Sequence, residues 1–402
     1  MTGRRYLRLS CVQHLSPTTD HLQPTITNVI GTFTATDHGH MARALQLAER
    51  GLFTTQPNPR VGCVITHGDV VVGEGWHQRA GEPHAEVFAL RAAGNRARGA
   101  TAYVTLEPCS HFGRTPPCAD ALIAAGIARV VAAANDPNPN VNGGGFEKLR
   151  AAGIAMDSGL LREPARELNR GFFSRMERGR PWVRIKLAMS LDGRTALANG
   201  ESKWITGEPA RNDVQRWRAR SSAILTGSGT MLADNPRLTA RLDSLSSYAI
   251  GGEGYKPWRI VLDGALRTPA SANALDASAP TLVMHAAEAK PVDDRFASVE
   301  LVRITTDANA RLDLDAVLRL LAGRGVNELQ VEAGPTLCGA LFEAGLVDEL
   351  LLYVAPIVLG ATARPLLALS PLASIAAAHR LRLIDERRIG ADQRLLYRCG
   401  HA

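Results

Sequence analysis

"TLEPCSHFGRTPPC" (residues 105–118), read with "EPHAE" (82–86), decides how the first half of this 402-residue chain is built. His84 follows Pro83 and opens a helical pattern, "HAEVFALRAAG". Cys109 follows Pro108 at the end of the apolar stretch "TAYVTLEPC", and Cys118 follows Pro116–Pro117 at the start of "PPCADALIAAGI". All three therefore sit at strand-to-helix junctions. Free backbone N–H groups and the helix dipole at such ends favour a thiolate, the form that zinc binds. One His and two Cys leave the fourth tetrahedral position to water, as a catalytic site requires and a closed structural site does not. Glu86, two residues after His84, can take a proton from that water and return it to a leaving nitrogen.

The order H-x-E, then P-C and a second Cys, is that of zinc deaminases, with one departure. The cysteines are separated by eight residues where the pattern has two. Alone, His84 would read as a core histidine, and Cys63, on an apolar strand, does read as core. Five elements in order (His84, Glu86, Pro108, Cys109 and Cys118) carry the site. The eight-residue insert puts Arg114 on the pocket rim, where a guanidinium suits a phosphate or a base edge. Asn58, held between Pro57 and Pro59, could read a ribose or pyrimidine edge or be a solvated loop residue.

Around these residues, strand and helix patterns alternate from Met41 onward: a helix "MARALQLAERG", a hairpin "RVGCVITHGDVVVGEGWH" turning at 67–69, then helix, strand, helix and the strand "ARVVAAANDPN". This predicts an α/β domain, a sheet covered by helices, over 38–178. "GFFSRMERGRP" (171–181) breaks the rhythm and marks the boundary. A second α/β domain over 180–402 opens with "WVRIKLAMS" and continues strand to helix. Residues 1–36 are rich in Thr, Ser and Pro without a period, and lack the sustained amphipathic face of a transit peptide. They read as a flexible leader, or as the product of a start codon upstream of Met41.

The second half has no G-x-G-x-x-G after a strand, so that dinucleotide fingerprint is absent. Two strand-to-helix turns of small residues replace it. "VEAGPTLCGALFEAG" places Gly334 before Pro335 and Thr336, where a helix N-terminus can face a phosphate. "TGSGTMLADNP" ends in Asp234 and Asn235. Arg218 and Arg241 are forks suited to phosphate, and Glu332 can accept ribose hydroxyls. Trp204 could flank a nicotinamide or be a core aromatic.

"NPRVGCVI", "GEGWHQRAGEPHAE", "TLEPCSHFGRTPPC" and "NDPNP" resemble the deaminase half of the bacterial bifunctional riboflavin biosynthesis proteins, the diaminohydroxyphosphoribosylaminopyrimidine deaminase/reductase family. "KLAMSLDGRTA", "GESKWITG", "TGSGTMLADNPRLTAR" and "VEAGPTL" resemble its reductase half in order, so the resemblance covers residues 38 to 398. It implies a cytidine-deaminase-like domain followed by a dihydrofolate-reductase-like one. It implies Zn2+ at His84, Cys109 and Cys118, with Glu86 moving protons. It further implies NADPH contacts at Ala188, Trp204, Thr230, Asp234 and the turn Gly334, Pro335, Thr336, Leu337, Cys338, Gly339 and Ala340. A phosphorylated pyrimidine substrate would be held by Asn58, Arg114, Ser202, Arg218, Leu238, Arg241 and Glu332.

Bulk properties agree with this reading. The net charge is +7, of which Arg4, Arg5 and Arg8 against Asp20 contribute +2 within 1–36, and no Lys/Arg run occurs. That is weak support for nucleic-acid binding, and a small phosphorylated substrate explains the mild basicity equally well. Six scattered cysteines suit a reduced, cytoplasmic protein, and the longest apolar runs are too short for a bilayer. The run "ELLLYVAPIVLG" reads as a sheet edge at which copies of the chain could assemble.

Overall fold

A computed structural model describes residues 33–110, 116–241 and 255–400. The first half runs α1 (Ala35–Glu49), β1 (Gly62–His67), β2 (Val70–Trp76), α2 (Ala85–Ala93), β3 (Thr101–Val104), α3 (Cys118–Ala124), β4 (Arg129–Ala132), α4 (Gly144–Ala151), β5 (Ala155–Ser158), α5 (Arg162–Leu168) and α6 (Arg170–Arg178). Its sheet has the order β2-β1-β3-β4-β5. The hairpin is antiparallel, as is β1 against β3, while β3, β4 and β5 are parallel.

Helix α1 begins at Ala35 rather than at Met41, and its start is chemical rather than periodic. Thr34 accepts from the Asp37 N–H, and the Asp37 carboxylate accepts in return from the Thr34 N–H. This capping box satisfies two end donors at once. Asp37 also accepts from the Tyr103 hydroxyl at 2.7 Å and Arg129 at 2.8 Å, tying the helix to the sheet. On the opposite face, α2 lies directly on the hairpin because Gly75 has no side chain. A Cβ there would stand 2.4 Å from the Ala85 carbonyl.

The second half continues β6 (Trp182–Ser190), β7 (Arg194–Ala196), α7 (Glu208–Arg220), β8 (Ala223–Gly227), α8 (Ser228–Asp234), β9 (Trp258–Leu262), β10 (Thr281–Ala286), β11 (Glu300–Ile304), α9 (Leu314–Gly323), β12 (Glu328–Val331), α10 (Pro335–Glu343), β13 (Glu349–Ala355), β14 (Arg364–Pro365), β15 (Leu381–Ile389) and β16 (Asp392–Cys399). Its large sheet has the order β11-β10-β9-β8-β12-β6-β13-β16-β15. Strands β11 through β13 in that order are parallel, and β16 and β15 add on antiparallel.

The expectation that "ELLLYVAPIVLG" forms a sheet edge is incorrect. Strand β13 lies between β6 and β16, and all seven of its residues are buried. A continuous apolar run is the mark of a strand covered on both faces, and here β6 and β16 also pair along its two edges. The edge on that side is β15, "LRLIDERRI", which carries exposed charge.

At the N-terminal ends of β12 and β13, where the two halves meet, Glu328 and Glu349 are fully buried. Arg60 and Arg170 from the first half, with Arg184 and Arg220 from the second, surround Glu328 at 2.8 to 4.0 Å. Arg170, Arg184 and Arg398 pair with Glu349. Burial would raise the Glu328 carboxyl, but the arginine charges outweigh it and hold the group ionised.

Candidate active sites

His84 is the N-cap of α2, Cys118 is the first residue of α3, and Cys109 lies in the loop after β3. Each offers a ligand atom, and the three atoms lie within 4.8 Å of one another. His84 Nδ1 is 3.2 Å from Cys118 Sγ and 3.5 Å from Cys109 Sγ. A tetrahedral zinc with ordinary Zn–N and Zn–S bonds would space such atoms by about 3.5 Å, so the cradle fits the ion. The Cys118 N–H points at Cys109 Sγ from 3.3 Å, as a helix start should. The hydrogen bond from the Cys118 thiol, with those from His84 and this N–H, lowers the Cys109 thiol to about 4.

Glu86 is 3% exposed, and its Oε2 has no hydrogen-bond partner. Burial pushes its carboxyl up. A buried carboxylate with one unpartnered oxygen beside three zinc-type donors is itself a mark of a site that a water is meant to complete.

Two further buried groups shape the pocket. The Asn58 amide donates to His77 Nε2 at 3.1 Å, and His77 Nδ1 donates to the Pro83 carbonyl at 3.1 Å. Burial holds His77 neutral, pushing it down to about 4, and its ring packs edge-on against His84 at 5.3 Å between centroids. Glu107 lies within "TLEPCSHFGRTPPC" but is given no role from the sequence. Its carboxylate accepts from the N–H groups of Asp136, Gly143, Gly145 and Phe146, and so fixes the "NDPNPNVNGGG" loop. Gly145 lies against the Pro108 carbonyl, where a Cβ would stand 1.9 Å away. Arg114 falls outside the described residues.

In the second half a cavity of about 2160 Å³ opens at the C-terminal ends of β6, β8 and β12. That is well above the volume a drug-sized ligand needs and suits a dinucleotide with a substrate. Ala188, Trp204, Thr230, Asp234, Gly334, Pro335, Thr336, Leu337 and Ala340 line it, as do Ser202, Arg218, Leu238, Arg241 and Glu332. Helix α10 has Gly334 as N-cap with no side-chain cap, so the Thr336 and Leu337 N–H groups face the cavity end uncapped. Cys338 and Gly339 do not line it. Cys338 is buried in the core with its N–H bonded to the Gly334 carbonyl, and Gly339 lies against the Ala368 carbonyl.

Trp204 is 69% exposed, which excludes the core-aromatic alternative; Arg211 stacks on its ring at 4.5 Å. Arg218 is not an open fork. Its Nε and Nη2 each meet a Glu332 oxygen at 2.7 Å, and its Nη1 donates to the Thr239 carbonyl. The pairing explains why burial does not raise Glu332, which Arg218 and Lys186 instead hold down to about 2. Lys186 opens the stretch "KLAMSLDGRTA" but is not singled out as a site residue from the sequence. It lines the cavity beside Ala188 and Glu332, and burial pushes its ammonium down.

Residues 34–134 match the cytidine and deoxycytidylate deaminase zinc-binding region, and residues 181–394 match the RibD C-terminal domain. The riboflavin biosynthesis protein RibD of Escherichia coli K12 is 51% identical over 362 residues, spanning 89% of this chain and 97% of that one. The chain belongs to the RibD family.

The Haemophilus influenzae RibD is 46% identical over 371 residues, 91% of this chain and 98% of its own. Form 1 of Acinetobacter baumannii RibD is 43% identical, with a TM-score of 0.82 over 91% of this chain and 99% of that structure. The deaminase/reductase of Thermotoga maritima gives 0.79 at 32% identity, over 91% and 99%. Like other RibD proteins this one is a bifunctional riboflavin biosynthesis enzyme, a zinc-dependent deaminase joined to an NADPH-dependent reductase. Among the described residues no helix is long and apolar enough to cross a membrane.

Proposed function

We propose that the first half, over 38–178, hydrolyses the C2 amino group of 2,5-diamino-6-(5-phosphoribosylamino)pyrimidin-4(3H)-one. The second half, over 180–402, then reduces the ribosyl group of the product to ribityl. The observation that carries this is the buried Glu86 carboxylate, with an unpartnered oxygen, beside the His84, Cys109 and Cys118 ligand atoms.

His84, Cys109 and Cys118 would hold zinc, which would supply a polarised, acidified water. Glu86 accepts that water's proton and delivers it to the C2 nitrogen, so that water adds at C2 and ammonia leaves. Asn58, its amide oriented by His77, holds the ribose or pyrimidine edge, and Arg114 meets the phosphate.

In the second half bound NADPH would supply the hydride. Thr336 and Leu337 N–H groups at the α10 start would hold a phosphate of the cofactor, and Trp204 would flank its ring system. Arg218 orients Glu332 toward the ribose hydroxyls, and Arg241 holds the substrate phosphate. Reduction of the ring-opened imine at C1′ consumes one hydride and one proton, and Lys186 is the proton-bearing side chain beside Glu332. The protein serves mainly to orient the pair. Any assembly of copies of the chain would use a surface other than β13, which is covered on both sides.

The test follows ammonia release and NADPH absorbance together in the native chain and in Glu86→Gln. Native protein should release ammonia and then oxidise NADPH. Glu86→Gln should do neither from the diamino substrate, yet should reduce supplied deaminated product at the native rate. Ammonia release by Glu86→Gln at the native rate would remove the assignment.

A further inference from the structure

The loop that carries Asn58 is held from two sides, and only one of them belongs to the deaminase half. On the metal side, Asn58 reaches His77 and through it the carbonyl of Pro83, next to His84. On the other side the loop is fastened to the reductase half. Asn327 donates from Nδ2 to Gln56 Oε1 at 3.0 Å and to the Pro57 carbonyl at 2.8 Å. Ser222 donates to the same Gln56 oxygen at 2.9 Å, and Gln56 Nε2 donates to the Arg220 carbonyl at 3.3 Å. Two residues beyond Asn58, Arg60 meets Glu328 at 2.8 Å. Gln56, Arg60, Ser222, Asn327 and Glu328 are all buried.

We infer that the reductase half positions the substrate loop of the deaminase half, with Asn327 as the positioning residue. Both bonds from its amide end on the two residues immediately before Asn58. Buried amide bonds of this kind set a backbone path, and a loop freed from them no longer presents its side chain at one place. Asn327 precedes β12, whereas Glu332 follows it, so the dock and the reductase cavity occupy opposite ends of one strand. The deaminase thus depends on a part of the reductase domain that reduction does not use. The inference rests on the proposed role of Asn58.

The experiment uses the full chain in three forms: Asn327→Ala, Asn327→Asp, which keeps the shape but loses the donor, and Asn58→Ala. Zinc content, deamination kinetics and reduction of supplied deaminated product are measured for each. Loss of the dock should raise KM for deamination about tenfold with a smaller change in kcat, because a displaced Asn58 weakens ground-state and transition-state binding alike. Zinc should stay at the native content, and reduction should be unchanged. Gln56→Met, which removes the Asn327–Gln56 bond from the deaminase side together with those to Ser222 and Arg220, should raise KM in the same direction and stands in if Asn327 variants fail to fold. Native deamination kinetics in the Asn327 and Gln56 variants would overturn the inference. So would a parallel fall in zinc, deamination and reduction, the pattern of a merely structural residue. If Asn58→Ala deaminates normally, it is the assignment of Asn58 that fails; if Asn58→Ala is impaired while Asn327→Ala is not, the positioning fails alone.

Discussion

The two sites of this chain are built on opposite plans. The deaminase pocket draws its zinc donors and Glu86 from residues 84 to 118, gathers the three ligand atoms within 4.8 Å of one another, and buries Cys118 and Glu86. The reductase cavity draws on residues from Lys186 to Arg364 and is an open volume of about 2160 Å³. A metal demands particular atoms at fixed distances, which leaves a spacing in the sequence. A dinucleotide is held by backbone, shape and a few dispersed side chains, which leave short and unremarkable signals. Motifs therefore reveal the first kind of site, and only packing reveals the second.

A chelator tests the separation of the two plans most severely. Stripping zinc should lower deamination by about 10⁴-fold, through loss of the acidified water, and leave reduction of supplied product at its native rate. A matching loss of reduction would show that the second site also depends on the metal cradle. Next in size, Lys186→Met should lower reduction by about 10³-fold while deamination continues, measured by the two signals in parallel. Unchanged NADPH oxidation would remove Lys186 from the chemistry.

The Arg218–Glu332 pair makes a smaller, pH-dependent difference. The Glu332 carboxyl is lowered from 4.5 to about 2 in the folded chain, so its contribution is fully present above about 4.5 and is lost as pH falls through about 2. In urea titrations the native chain should exceed Glu332→Gln by at most about 3 kcal/mol at neutral pH, with the gap closing over that acid window. A gap that persists at pH 2 would mean the carboxylate charge is not its source. Smallest, Trp204→Ala should raise KM for NADPH about tenfold by removing an exposed aromatic face, with kcat little changed. An unaltered KM would place the cofactor ring elsewhere.

Much of the deaminase site was legible. His84 and Cys118 sit at the helix starts that their prolines announced, and the strand-helix alternation gave both α/β domains. What stayed hidden depended on partners distant in sequence. Lys186 is one charged residue on an apolar strand, and only the neighbouring Glu332 and Arg218 make it a site residue. Arg218 read as an open fork because nothing in "VQRWRARS" reveals that Glu332 occupies it. Cys338 and Gly339 shared a motif with Gly334, but a helix turns successive residues through about 100°, so they face the core. The β13 run was misread as an edge because an apolar stretch states that both faces are covered, not what covers them.

The charge cluster at the junction also bears on how the two halves came to be inseparable. Glu328 is fully buried and counts Arg60 and Arg170 among its neutralising partners, both from the deaminase side. A chain cut after Gly179 would leave that carboxylate with fewer counter-charges and would expose two arginines from which burial had excluded water. Neither piece could then be exchanged for a relative's unless the substitute brought matching charges. The junction acts as a lock whose key is divided between the halves, and recombination within the gene is confined to exchanges that carry both parts.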